Sequence, residues 1–261
     1  MRAKKRYGQH FLEAAWADRL VAAIDPRPED RFLEIGPGPG ALTLRLAAKV
    51  AHLTAVELDP EMVALLAPRL PANVTLVEQD VLAVDLTALV EPPFRVAGNL
   101  PYNISALILF ALIAAHRRGG GPVDATLMLQ REVAERINAA PGGRDYGVLS
   151  ILVQLHADVT PLLSLPPGAF RPAPKVHSRV IRLRFRPPVV TLTDEPAFEA
   201  MVRTMFMQRR KTLLNALRPY AASIGRDAGR ALAAAAIDPS RRPETLQLTE
   251  VARLAEGFVS P

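Results

Sequence analysis

The chain has 261 residues, 49% hydrophobic and 22% charged, enough for one large domain or for a large and a small one. No run approaches the ~18 apolar residues of a membrane-spanning helix, and the basic amino terminus lacks the apolar core of a secretory signal. Absence of cysteine excludes disulfides, thiolate metal sites and cysteine nucleophiles, and the five scattered histidines show no metal-ligand spacing, so we expect a cytoplasmic protein without a metal.

From Arg31 to about Gln130, apolar strand-like runs alternate with helical patterns. The strands are Phe32–Ile35, Leu53–Val56, Val74–Val77, Phe94–Ala97 and Ala125–Leu129. The helices are Ala41–Lys49, Pro60–Arg69 and Ser105–His116, and this alternation predicts a mostly parallel sheet covered on both faces. After a helix at Arg131–Ala139 and a glycine-rich loop, Val148–Leu155 is ambiguous between helix and strand. Ile181–Arg186 alternates cleanly, giving a strand with one arginine face, and Pro187-Pro188 ends it. Everything beyond reads helical, including one long helix from Glu195 to about Leu217, so the first domain is placed at 1–187 and a small all-α domain at 188–261.

Gly36-Pro37-Gly38-Pro39-Gly40-Ala41 follows the first strand and opens a helix, where glycines allow a tight turn and close approach of a ligand to the backbone. The spacing also satisfies a dinucleotide fingerprint, leaving a nicotinamide enzyme as a competitor. Glu57 ends the second strand 57 − 36 = 21 positions on, right for gripping ribose hydroxyls in either class. Asp80 ends the third strand, where a carboxylate can accept from an adenine amino group. A glycine loop and two acids at successive strand ends resemble the arrangement of S-adenosylmethionine-dependent methyltransferases.

Asn99-Leu100-Pro101-Tyr102 ends the strand that starts at Phe94. A planar amide, a rigid proline and an aromatic ring at a strand's carboxyl end suit a flat, amino-bearing ring: the amide and nearby carbonyls accept from the amine, and the tyrosine stacks.

The net charge of +6 points to an anionic partner. Arg2, Lys4, Lys5 and Arg6 precede the first acid, and Arg171–Arg186 holds six Arg or Lys residues and no acid. On a continuous helix Arg203, Arg210, Lys211 and Arg218 would share an arc of about 100°, opposite Phe198, Met201 and Met205, with Leu214 intruding on the stripe. Arg209 would project into that apolar arc, so an internal carboxylate or snorkelling is expected to explain it.

With these residues placed, the chain resembles the KsgA-type ribosomal RNA adenine dimethyltransferases over nearly its whole length. The matching segments are Gly8-Gln9-His10-Phe11-Leu12, Glu34 to Thr43, Asn99 to Ser105, Leu129 to Arg136, Phe170 to Ser178 and Gln208 to Leu213. The resemblance implies a Rossmann-like class I methyltransferase domain with a seven-stranded sheet, and a helical carboxyl-terminal RNA-binding domain. It implies S-adenosylmethionine as cofactor, bound by Gln9, His10, Leu12, Gly36, Gly38, Glu57, Asp80 and Asn99. It further implies dimethylation of two adjacent adenines near the 3′ end of 16S rRNA in the small ribosomal subunit, by a protein we expect to be monomeric. Asn99, Leu100, Pro101 and Tyr102 would carry catalysis, with Phe170 closing the other face of the base. Arg203, Arg210, Lys211, Arg218 and Lys175 would meet RNA. The competing readings are an erythromycin-resistance methyltransferase acting on 23S rRNA and a non-catalytic RNA-binding assembly or transcription factor on the same fold.

Overall fold

A computed structural model describes residues 9–259; Arg2, Lys4, Lys5, Arg6 and Gly8 lie outside them. The chain divides into two compact units. The first runs to Ala134 and resumes over Ala157–Pro187, and the second comprises Glu135–His156 and the chain from Pro188. The second unit therefore takes in Glu135–His156 besides the segment after Pro187, where the sequence suggested a single cut at 187.

The first unit is built on a seven-stranded sheet. In chain order its strands are β2 (Arg31–Ile35), β3 (His52–Glu57), β4 (Val74–Glu78), β5 (Phe94–Asn99), β6 (Pro122–Gln130), β7 (Ala157–Leu165) and β9 (Ser178–Phe185). The spatial order is β4-β3-β2-β5-β6-β9-β7, parallel from β4 to β6, with β9 antiparallel to both β6 and β7. This is the expected α/β sheet. Helices α1 (Ala14–Ile24), α2 (Thr43–Ala47), α3 (Pro60–Leu66), α4 (Leu86–Leu89) and α5 (Ser105–Arg117) connect or cover the strands. Sheet burial on both faces explains why β2, β3, β5 and β6 read as continuous apolar runs. Phe32, Leu53, Ala97, Met128 and Val180 form one core with Leu20 and Ile24 of α1 and Leu46 of α2. A separate ribbon pairs β1 (Phe11–Leu12) with β8 (Phe170–Arg171), setting Leu12 opposite Phe170.

Two helix starts are fixed by aspartate caps. Asp59 caps α3, which has Pro60 in its first turn, and Asp85 accepts from the Thr87 amide to start α4. Strand β7 was not foreseen. Its burial pattern is mixed rather than alternating, so the period-two signal is weak.

The second unit is helical. It contains the end of α6 (Arg131–Ile137), then α7 (Val148–His156), α8 (Glu195–Met207), α9 (Leu213–Ser223), α10 (Ala228–Ala234) and α11 (Leu248–Val259). The ambiguous 148–155 run is thus helix. The single long helix over 195–217 is not formed: the chain turns at 208–212. Tertiary partners override propensity here, because the Leu213 and Leu214 amides donate to the Arg241 and Pro239 carbonyls at 2.7 and 3.2 Å. Among the described residues no helix is long and apolar enough to cross a membrane.

Candidate active site

The carboxyl ends of β2, β3, β4 and β5 open onto a cavity of about 360 Å³ in the first unit. Ligands of open α/β sheets bind at this end. The loop after β2 is shaped by Gly36 and Gly38, with φ of +69° and +53°, a region where side chains are strained. A Cβ on Gly36 would stand 3.9 Å from the Asn99 carbonyl, so the loop lies against the end of β5.

Glu57 locks this loop. Its Oε2 accepts from the Gly38 amide at 3.0 Å, and its Oε1 accepts from the Leu58 and Asp59 amides at 2.9 Å each. One lone pair of Oε2 stays free for a ligand hydroxyl. Asp80 is half-buried and its Oδ1 accepts from the Leu82 amide at 2.9 Å. Exposed Leu58 and Leu82 and buried Val81 give this part of the cavity an apolar flank for a flat ring.

The amino-terminal segment closes the cavity from another side. Gln9 Nε2 donates to Asp59 Oδ2 at 2.8 Å. His10 Nδ1 lies 2.8 Å from the Pro172 carbonyl; a carbonyl only accepts, so Nδ1 carries a hydrogen. The same logic orients Asn99. Its Nδ2 donates to the His10 carbonyl at 2.8 Å, which leaves the side-chain oxygen as the available acceptor. The Leu100 amide donates to the Met128 carbonyl at 3.2 Å. Tyr102 Oη is 2.7 Å from Ser178 Oγ, and burial pushes the phenol's pKa up against the opposing effect of that hydrogen bond, so it is neutral. The His10 and Tyr102 rings stack with centroids 5.7 Å apart.

All the residues assigned to the cofactor line this one cavity, and so do Leu100, Pro101 and Tyr102. Phe170 does not. It is 2% exposed and packed into the core with Leu165 and Val180, against half-buried Trp16, because β8 pairs it with Leu12. Its assignment as a base-stacking ring is corrected to a core role; the ring beside Tyr102 is His10.

The cationic residues are exposed but differently engaged. Lys175 stands exposed between β8 and β9. In the helical unit Arg203, Arg210, Lys211 and Arg218 are all exposed, yet the turn at 208–212 removes the continuous helical stripe expected of them. Arg203 is paired with Glu199. Arg209 donates to the Arg144 carbonyl at 2.8 Å, so its partner is backbone rather than a carboxylate. The arginine face of β9 is partly structural too: Arg182 donates to the Ala23 and Ile24 carbonyls at 2.8 Å each, and Arg186 pairs with Asp158.

Three residues at the site escaped the sequence reading. Glu34 had a signal, an acid inside the apolar strand Phe32-Leu33-Glu34-Ile35. Asp59 had one as well, as a cap before Pro60. Ser178 had none, since its partner Tyr102 is 76 positions away.

The residues present fit a sulfonium nucleoside. Left-handed glycines admit the ligand, Glu57 and Asp80 offer acceptors, and Glu34 Oε2 is buried without a partner. Among the described residues no group of three His, Asp or Glu side chains is placed to hold a metal.

Comparison with known proteins agrees with this geometry. The family model "Ribosomal RNA adenine dimethylase" matches residues 1–253. The "Ribosomal RNA small subunit methyltransferase A" of Syntrophotalea carbinolica is 44% identical over 259 residues, covering 98% of this chain and 96% of the relative. That of Geobacter sulfurreducens is 44% identical over 271 residues, covering 100% and 96%. Among solved structures, a dimethyladenosine transferase from Plasmodium falciparum superposes with a TM-score of 0.76 at 23% identity, covering 94% of this chain and 96% of the other. The 23S rRNA methyltransferase ErmE gives 0.68 at 26% identity, covering 96% and 100%. The chain belongs to the ribosomal RNA adenine dimethylase family.

Proposed function

We propose that the protein uses S-adenosylmethionine to dimethylate the exocyclic N6 of two adjacent adenines near the 3′ end of 16S rRNA, within the small ribosomal subunit. The observation that carries this reading is the fixed Asn99 amide, whose NH₂ is spent on the His10 carbonyl while its oxygen is left for a ligand amine. Relatives 43–44% identical over nearly the full chain bear the small-subunit name, which supports 16S over 23S rRNA as substrate.

Bound S-adenosylmethionine supplies an electrophilic methyl group on a cationic sulfur. Glu57 would accept from its ribose hydroxyls and Asp80 from its adenine amine, with Gly36 and Gly38 leaving room along the backbone. The adenine N6 of the substrate is a poor nucleophile because its lone pair is delocalised into the ring. Asn99 Oδ1 and the Leu100 carbonyl would accept its two N–H bonds, favouring a pyramidal amine with the lone pair aimed at the methyl. Pro101 stiffens the loop and Tyr102 stacks on the base once it leaves its helix. No dedicated base is required, since the ammonium formed on methylation is acidic and loses its proton to water or to the same acceptors. The second transfer works with one N–H fewer, so the grip cannot depend on both bonds. Arg210, Lys211, Arg218 and Lys175 supply phosphate contacts, and Arg203 joins them beside Glu199.

The test is methyl transfer from labelled S-adenosylmethionine to isolated 30S particles and to 23S rRNA. Label in dimethyladenine of the 30S particle alone is the expected result. Label confined to 23S rRNA, or none in either, overturns the reading.

A further inference from the structure

The scheme above leaves Glu34 unused. It sits inside β2, flanked by Ala55 of β3 and Ala97 of β5, is 1% exposed, and lines the cavity. Its Oε2 and the nearby Thr43 Oγ1, at the start of α2, are both buried without a hydrogen-bond partner. The one ionisable group among the described residues whose charge reaches it is Glu57, of the same sign. A buried carboxylate with no cation beside it is costly, and such a group sheds its charge. Burial pushes the Glu34 carboxyl up to about 8, with the like charge of Glu57 adding to this; Thr43 lies close enough to favour the ionised form slightly, without reaching hydrogen-bond geometry.

A neutral acid facing a cavity that takes a cation has a consequence for ligand exchange. Resting on the methyl-donor reading above, we propose that Glu34 senses the charge of the bound nucleoside: it holds a proton while the cavity contains no cation, releases it to solvent when the sulfonium donor binds, and takes one up again after methyl transfer. The balance is simple. On binding, the carboxylic acid becomes a carboxylate and one proton passes to the buffer. On transfer, the adenine N6 lone pair would form the new N–C bond as the S–C bonding pair stays on sulfur, the resulting ammonium would lose its proton to water, and sulfur would be left a neutral thioether, so the carboxylate would have no sulfonium to offset it. Reprotonation then returns Glu34 to the neutral form it has in the free protein.

At pH 7 a carboxyl with that affinity is about nine-tenths protonated, so donor binding should release up to about one proton. Donor affinity therefore rises with pH, by up to about tenfold per unit, and levels off above about pH 8. The experiment is calorimetric titration of the free protein at pH 7 with S-adenosylmethionine and with S-adenosylhomocysteine, each in phosphate and in Tris, whose ionisation enthalpies differ. The expected result is clear proton release with the methyl donor, distinctly less with the thioether, and loss of the difference in Glu34→Gln. Equal release with both ligands, or the same release in wild type and Glu34→Gln, overturns the proposal. Absence of binding by either ligand to wild type would instead overturn the donor reading beneath it. Because Glu34→Gln perturbs a core position, carbon NMR of carboxyl-labelled glutamate in the wild-type protein supplies a second readout. A protonated carboxyl at pH 7 that becomes a carboxylate on adding the methyl donor is expected; a carboxylate already present in the free protein overturns the idea.

Discussion

Strand β5 carries Arg95 near its start and Asn99 at its end, and the two side chains are treated in opposite ways. Arg95 spends its guanidinium on Asp124 at 2.9 Å, on Asp30 at 2.8 Å, and on the Asp25 and Ile24 carbonyls at 3.0 and 2.9 Å, while lying over the Phe32 ring. Asn99 spends only its NH₂ and keeps its oxygen. The same contrast extends across the sheet: the end around Arg95 is saturated, whereas Glu34, Asp80 and Asn99 at the other end keep unmet acceptors. Polar groups that satisfy one another hold the fold, and polar groups left with spare capacity on a cavity are those that can act on a ligand.

Breaking the saturated end should cost stability and little else. Arg95→Met leaves Asp30 and Asp124 without their cation and should lower folding stability by about 3–5 kcal/mol, read from urea unfolding, while affinity for S-adenosylmethionine in the folded protein changes only a few-fold. A large loss of donor affinity with stability intact would erase the contrast. The smallest effect is expected at the exposed cations. Lys211→Ala should weaken rRNA binding across sequences and reduce the slope of log affinity against log salt by about one, with methyl-donor affinity unchanged. An unchanged slope removes Lys211 from the phosphate surface.

Much of the unsaturated end was legible because its chemistry is local. Glycines with positive φ, acids at strand ends and the Asn99–Tyr102 turn each act within a few residues of their strand, so spacing alone marked them. What failed depended on distant partners. Phe170 looks like a stacking ring until β8 pairs with β1 and turns it into the core. The alternation of β9 marks an arginine face but not its partners, and Arg182 reaches the end of α1. The helix expected through Leu217 breaks because the 239–241 carbonyls take the Leu213 and Leu214 amides. None of these partners is encoded by periodicity.

The role of Asn99 is tested most directly by measuring rRNA binding and methyl transfer side by side in Asn99→Ala. Loss of the oriented oxygen should lower turnover on 30S particles by roughly 10²–10³-fold while rRNA affinity stays within a few-fold of wild type. Equal loss of binding and turnover, or turnover preserved, would contradict the account.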